Sequence, residues 1–435
     1  MKNRFKIETL GEAKLKSPVS LSTQENDHRA NYVQESERLI FDVRKDLHQG
    51  SVIEKLEDIS VEIAGPREKI YFEPSKVKAA ILTCGGLSPG LNNVIRAIVR
   101  TLTIEYGVHN IYGIRNGFHG LLPEYGLEPM ELDLDNVDDI HNIGGTILGA
   151  SRGGGNRTEE IVDSIERMNL SLVFIIGGDG TQKGSSAIAK EIKKRGLKVA
   201  VVGIPKTIDN DLQYVDTTFG FETAVEQAVR AIKSAHVEAL GAQNGVGLVK
   251  LMGRHSGFIA AHATLATNDV NIILIPEIPF KFESMVEYLI KRLERKDHAV
   301  IVVAEGAGQD LLESTNETDA SGNKKMGDIG LYLKEKLSES LTEKNIDHKL
   351  IYIDPGYMVR SVVANPYDAL LCTRLGRNAV HGAMSGKTNM VISILHSEFV
   401  YLPISLVTES RKIINTDDSL WRDVVLSSAQ PAIFE

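Results

Sequence analysis

From residue 77 onward the chain alternates short apolar runs rich in β-branched residues with stretches whose apolar positions recur every three or four residues. The runs at 79–83, 172–176, 198–202, 247–251, 271–275, 299–303, 348–353 and 389–395 read as strands. Between them, Leu91, Val94, Ile95, Ile98, Val99 and Leu102 recur at helical spacing after Pro89-Gly90, and Val225, Ala228, Val229 and Ile232 do the same. Another helix ends on Lys193-Lys194-Arg195 before Gly196, cations and then glycine, as the helix dipole and the C-cap favour. Strands alternating with helices predict an α/β fold with largely parallel sheets.

Two segments lack this pattern. Residues 1–75 are polar and charged, with Leu39-Ile40-Phe41 as a short apolar exception, and are expected to form a surface extension or an arm used in assembly. Residues 309–327 are polar and are expected to form a mobile loop. At 435 residues the chain is too long for one compact domain, so two or three are expected. No apolar run reaches bilayer length, the N-terminus lacks the apolar core of a signal peptide, and two cysteines, Cys84 and Cys372, cannot build a disulfide framework; a reducing, cytoplasmic location is expected, with no membrane partner. A net charge of −9 argues against general nucleic-acid binding, which rests on neutralising backbone phosphates. Phosphorylated ligands would therefore need cations concentrated at one site.

The polar clusters lie after the predicted strands, where open α/β sheets bind their ligands. Gly177-Gly178-Asp179-Gly180-Thr181 follows the buried run at 172–176 and leads into a helix. Such a turn lets backbone amides close on phosphate oxygens, with Asp179 beside them for Mg²⁺; an ordinary helix cap is the alternative role for this aspartate. Cys84-Gly85-Gly86-Leu87-Ser88-Pro89-Gly90 is a second strand–turn–helix unit, in which tight packing explains the glycines as well as a ligand does. It lacks the Gly-Lys-Ser/Thr ending of a Walker loop. The glycine-dense stretch 144–155 carries a single arginine, Arg152, suited to bridging phosphates in a transition state or, otherwise, to solvation on a loop. Thr207, Asp209 and Asp211 alternate along Pro205-Lys206-Thr207-Ile208-Asp209-Asn210-Asp211, so in an extended stretch they share one side, as a general base and its orienting partner would; a polar turn capping the helix that begins near Phe221 is the alternative. Arg254 in Met252-Gly253-Arg254, Glu305 at the end of the 299–303 run, and Tyr357 and Arg360 offer phosphate and hydroxyl contacts, each unremarkable alone. No His/Cys spacing fits zinc.

Taken together, residues 85–92, 177–181, 205–211, 252–254, 305 and 357–360 resemble the phosphofructokinase family over roughly residues 71–413. The resemblance implies two Rossmann-like three-layer α/β domains plus the N-terminal extension: a nucleotide-binding domain at 76–222 completed by 357–435, and a fructose 6-phosphate domain at 223–356. It implies transfer of a phosphoryl group to the 1-hydroxyl of fructose 6-phosphate, with Mg²⁺ as cofactor. Asp209 matches the proton acceptor, Thr207 a sugar contact beside the transferring group, and Asp179 the metal carboxylate. Gly85, Gly86, Arg152, Gly153, Gly178, Asp179, Gly180 and Thr181 match nucleotide-phosphate contacts. Thr207, Ile208, Asp209, Met252, Gly253, Arg254, Glu305, Tyr357, Met358, Val359 and Arg360 match the sugar-phosphate site. A homo-oligomer is implied, a tetramer ahead of a dimer.

The phosphoryl donor turns on two positions. Family members that use pyrophosphate carry aspartate at the position of Gly180 and lysine at that of Lys206, whereas bacterial ATP enzymes carry glycine at both. This chain has glycine first and lysine second. A carboxylate at 180 would intrude where the α-phosphate of ATP must lie, and Lys206 adds a cation without blocking a nucleotide, so ATP is the expected donor and pyrophosphate the rival. The short bacterial enzymes also supply an arginine seven residues before Met252; Gly245 stands there instead, so another cation must bind the 6-phosphate or the subunit contact differs.

Overall fold

The computed structural model describes residues 4–24, 26–41, 60–312 and 326–435. Strands buried on both faces must be apolar along their whole length, and Lys78–Thr83, Leu172–Gly177 and Ala200–Pro205 bury every side chain after Lys78. Asn110–Ile114, Lys78–Thr83, Leu172–Gly177, Ala200–Pro205 and Met390–Leu395 run parallel in that order. Short antiparallel strands extend the sheet at both ends: Met130–Glu131 on one side, and Glu398–Pro403, Ser60–Ile63 and Arg38–Ile40 on the other.

Successive strand residues face opposite layers. Ala79, Ile81, Phe174, Ile176, Val202 and Ile204 pack with the helices Leu91–Arg100 and Pro366–Met384. Ala80, Leu82, Val173, Ile175 and Val201 pack with Thr158–Arg167 and Asp179–Lys194. The result is a three-layer unit. A second unit is built likewise around four parallel strands in the order Ile272–Leu274, His298–Ala304, Gly245–Leu251, Lys349–Ile353. One face of its sheet packs on Phe221–Leu240 and Phe258–Thr267, the other on Phe282–Lys296 and Ile329–Glu343.

By their internal contacts the units comprise 1–207, 212–219 and 363–410, and 208–211, 220–362 and 411–435. These bounds depart from the expected ones at the tail, because Ile414, Trp421 and Val424 bury themselves in the second unit's core. They depart again at 208–211, where Ile208 joins that same core. Among the described residues no helix is long and apolar enough to cross a membrane.

The described part of 1–75 is not a surface arm. Phe5, Ile7, Tyr32 and Val61 are buried, and Ser60–Ile63 joins the main sheet. Part of the join is ionic. The Lys387 ammonium, about 4% exposed, lies 2.7 Å from Glu62 Oε2 and 3.0 Å from Glu35 Oε2. Arg67, equally buried, donates from Nε to Glu35 Oε1 at 2.8 Å and from Nη2 to the Ile63 carbonyl at 2.7 Å. Of the polar stretch 309–327, Gln309–Leu311 forms a 3₁₀ turn, and 313–325, like 42–59 of the N-terminal region, lies outside the described residues.

Lys387→Met leaves the half-buried Glu62 carboxylate without its ammonium, with Arg38 at 3.9 Å as a remaining cation, a change expected to cost about 1–3 kcal/mol. Thermal unfolding checks this; a melting temperature equal to that of the wild type would mean that the join does not depend on the pair.

Candidate active site

In the first unit the helix starts earlier than the glycine run implies. Gly177 ends its strand, Gly178 is the N-cap with extended backbone, and Asp179 already begins the helix. The first intrahelical bond runs from the Gln182 amide to the Gly178 carbonyl at 2.9 Å, so the amides at 180 and 181 meet no carbonyl one turn back and can serve an anion. Of the three glycines here, two answer to packing. A Cβ on Gly177 would meet Thr181, and one on Gly178 would sit 3.3 Å from the Lys206 carbonyl. Gly180 is different: a Cβ there meets no described atom within 4 Å.

Three other loops gather at this strand edge. The Gly85 amide donates to the Ser151 carbonyl at 2.8 Å, which draws the 84–86 turn to the stretch holding Arg152 and Gly153. Asn92 is buried at the start of its helix, donates to the Ile143 carbonyl at 3.0 Å and accepts the Ile147 amide at 2.9 Å, holding the glycine-dense loop from its other side. Lys206 is about 6% exposed; its ammonium donates to the Gly86 carbonyl, and its amide donates to Gly177 at 3.1 Å. Its Nζ lies 3.3 Å from where a Cβ on Gly85 would stand, and Gly85, with φ of 85°, occupies the left-handed region that favours glycine. Burial pushes the Cys84 thiol up to about 12, so this cysteine stays protonated and inert. The structure thus brings together Gly85, Gly86, Arg152, Gly153, Gly178, Asp179, Gly180 and Thr181, with Lys206 among them.

One carboxylate stands in this group. Asp179 has its side chain about 11% exposed and pairs with Lys183 at 3.0 Å. No group of three metal-ligating side chains exists among the described residues. A protein-held Mg²⁺ cage is therefore absent from them, whereas one carboxylate beside helix-start amides suits a Mg²⁺ that arrives on phosphate oxygens.

The expectation for 207, 209 and 211 needs correcting. Asn210 adopts φ of 53°, which breaks the extended alternation. The chain leaves the first unit after Thr207, whose carbonyl accepts the Thr218 hydroxyl at 2.6 Å. Asp211 is buried, accepts Arg411 Nη1 at 2.6 Å and receives the Lys412 amide on its carbonyl at 3.0 Å, which is the work of a structural carboxylate. Asp209 is half-buried, and its carbonyl accepts the buried Ser256 hydroxyl at 3.1 Å.

That hydroxyl links Asp209 to the turn after strand Gly245–Leu251. Gly253 adopts φ of 136°, and a Cβ on it would lie 2.6 Å from the Ser256 carbonyl, so the turn admits glycine alone. The Glu305 amide donates to Leu251 at 2.9 Å and the Gly306 amide to Gly253 at 3.1 Å, setting Glu305 beside Arg254. Burial raises the Glu305 carboxyl above the ordinary range, against the pull of Lys250, Arg254 and Arg360 and with a push from Asp354. The Arg360 guanidinium stacks 5.0 Å from the Tyr357 ring centroid. Tyr357 and Met358 are largely exposed, whereas Val359 and Ile208 are buried in the core, so of those two only the backbone is offered to a ligand.

Two supporting residues escaped the sequence reading. Gln182, fully buried, donates from Nε2 to the Gly177 carbonyl at 3.0 Å and to the Ile204 carbonyl at 3.3 Å, pinning the ends of two neighbouring strands. Lys250 interrupts an otherwise buried apolar strand, and a cation there signals acidic partners from elsewhere in the chain.

The phosphofructokinase family profile matches residues 78–383. An ATP-dependent 6-phosphofructokinase of Borreliella burgdorferi is 52% identical, covering 98% of this chain and 97% of its own. The ATP-dependent 6-phosphofructokinase 1 of Arabidopsis thaliana is 51% identical, over 86% of this chain and 79% of its own. Among solved structures, a pyrophosphate-dependent phosphofructokinase of Marinobacter aquaeolei shares the fold with a TM-score of 0.66 at 21% identity, over 81% of this chain and 91% of its own. With profile and full-length relatives in agreement, the chain belongs to the phosphofructokinase family.

Proposed function

We propose that this chain transfers the γ-phosphoryl group of ATP to the 1-hydroxyl of D-fructose 6-phosphate, giving fructose 1,6-bisphosphate and ADP. The observation that carries the reading is the 52% identity, along 98% of the chain, to a relative named an ATP-dependent 6-phosphofructokinase. The open space at Gly180 supports the donor choice, since no described atom needs it.

In this reading the loops at 85–86, 152–153 and 178–181 cradle the nucleotide phosphates with backbone amides, and Arg152 balances charge that moves onto the bridging oxygen. Asp179 would hold Mg²⁺, which when bound neutralises phosphate oxygens. Asp209 takes the proton from the 1-hydroxyl as its oxygen attacks phosphorus, and Thr207 steadies the sugar end. Met252, Gly253, Arg254, Glu305, Tyr357, Met358, Val359 and Arg360 hold fructose 6-phosphate: the arginines take the phosphate, Glu305 accepts ring hydroxyls, and Val359 and Ile208 contribute backbone. In domain terms the first unit binds nucleotide and the second the sugar phosphate. A homotetramer is the expected assembly, and sedimentation measures it.

Purified protein given fructose 6-phosphate with either ATP or pyrophosphate tests the reading; turnover with pyrophosphate alone would overturn the donor. Asp209→Ala is expected to lower kcat by at least ~10³-fold while fructose 6-phosphate still binds, because it removes the base and leaves the anion contacts in place. Near-normal turnover in that variant would refute the base. Gly180→Asp places a Cβ where no described atom lies within 4 Å, so folding is expected to survive while KM for ATP rises steeply; an unaltered KM would sink the steric argument.

The raised pKa of Glu305 has a direction that can be measured. Its carboxylate form exists above that pKa and is lost as pH falls through it, at a higher pH than for a solvent-exposed glutamate. On the acid side kcat/KM for fructose 6-phosphate should therefore drop early. Glu305→Gln should remove this ionisation from the profile and raise KM at neutral pH; an acid limb identical in the variant would assign it elsewhere.

A further inference from the structure

Strand Gly245–Leu251 is buried along its length except at Lys250. Val246 and Leu248, four and two residues earlier on the same face, pack in the core with helix Ile329–Glu343, and the alternation carries Lys250 to the start of that helix. Gly330 makes the approach possible: a Cβ there would stand 2.9 Å from Lys250 Cδ and 2.5 Å from the Tyr352 hydroxyl. A helix N-terminus is the positive end of its dipole and repels an ammonium. Asp328 reverses the sign. Its Oδ1 accepts the amides of Gly330 at 3.0 Å and Leu331 at 3.1 Å, and its Oδ2 lies 3.0 Å from Lys250 Nζ.

Asp354 repeats the arrangement. Its Oδ1 accepts the Gly356 amide at 2.9 Å and its Oδ2 lies 2.8 Å from the same ammonium. Each acid therefore uses one oxygen for backbone and the other for Lys250. Burial disfavours the ammonium, but the hydrogen bonds to Asp354 and Asp328 outweigh it and hold the lysine pKa above its ordinary value. With two carboxylates against one cation the cluster already carries excess negative charge, so Lys250 is unsuited to be the cation that takes a 6-phosphate.

Its position suits a different task. Lys250 lies two residues before Met252, and the next carbonyl, that of Leu251, accepts the Glu305 amide. Through Asp354 it grips the turn whose Pro355 carbonyl accepts the amides of Met358 at 2.7 Å and Val359 at 3.1 Å. We propose that Lys250 is a positioning residue of the sugar-phosphate site, holding the 354–360 turn in register with Met252–Arg254 through its paired carboxylates. The role in sugar binding rests on the function proposed above; the role in ordering the turn does not.

The test therefore uses two readouts on the full chain: hydrogen exchange of the amides at 356–360, and separate KM values for fructose 6-phosphate and ATP. In Lys250→Met, exchange at 356–360 should accelerate, KM for fructose 6-phosphate should rise roughly tenfold, and KM for ATP should stay within about twofold. Lys250→Arg should restore both readouts. If Lys250→Met fails to fold, Asp354→Asn, which keeps the Lys250–Asp328 pair, should show smaller shifts in the same direction. Unchanged exchange at 356–360 overturns the proposal, as does a joint rise of both KM values with no rescue by arginine. A wild type inactive on fructose 6-phosphate would reject the substrate reading, while the exchange result would still decide whether Lys250 orders the turn.

Discussion

The first unit depends on keeping several strand ends open to an anion while their own backbone stays satisfied. Amides at the carboxyl edge of a parallel sheet are donors in search of acceptors, and buried polar backbone left unpaired is costly. Lys206 meets the constraint with a single side chain. Its buried ammonium takes up the Gly86 carbonyl and its amide takes up Gly177, so neighbouring loops are tied through their carbonyls while amides remain for a ligand. Gln182 does the same one turn further into its helix, bonding the carbonyls at the ends of two strands. In both cases carbonyls are consumed internally. That division of labour leaves a strand edge whose amides can serve an anion.

The second unit solves a related problem with charge. Arg254, Arg360 and Lys250 converge near Glu305, and half-buried cations would repel one another without interleaved acids. Glu305, Asp354 and Asp328 supply them, and each aspartate also anchors backbone at a turn or a helix start. Groups interleaved this way are ordered before any ligand arrives, which lowers the cost of binding. Glu277 serves a similar scaffold role: its carboxylate accepts the Gly257 amide at 3.0 Å and the Ile414 amide at 2.9 Å, fastening the C-terminal tail beside the turn that carries Arg254.

What could be read from sequence follows from how local each signal is. The strands at 172–177 and 298–304 were legible because buried parallel strands are apolar at every position, and the glycine loops because a tight strand-to-helix turn restricts residue choice locally. Ser60–Ile63 was not legible: its sequence, Ser-Val-Glu-Ile, looks like a solvated edge until Lys387, more than 300 residues away, neutralises Glu62. The alternation at 207–211 misled because period two holds only in extended backbone, and Asn210, a residue tolerant of φ above zero, turned the chain. Lys250 failed for the opposite reason to Gly253. A glycine announces its own conformation, whereas a lysine within an apolar strand announces only that acids are near, and Asp328 and Asp354 lie 78 and 104 residues further along.

Glycine within a helix costs roughly 0.5–1 kcal/mol relative to alanine, so a fold does not choose it there without a reason. Gly177 and Gly178 have reasons inside the protein, in Thr181 and the Lys206 carbonyl. Gly180 has helical backbone and no described neighbour that a Cβ would reach. Neither conformation nor packing accounts for it, which leaves the space above the helix start, where the amides at 180 and 181 face an incoming anion. A carboxylate in that position would oppose every charge a triphosphate brings, while a small inorganic diphosphate could be seated short of it. The space at Gly180 is open, and of the two donors the triphosphate is the one long enough to use it.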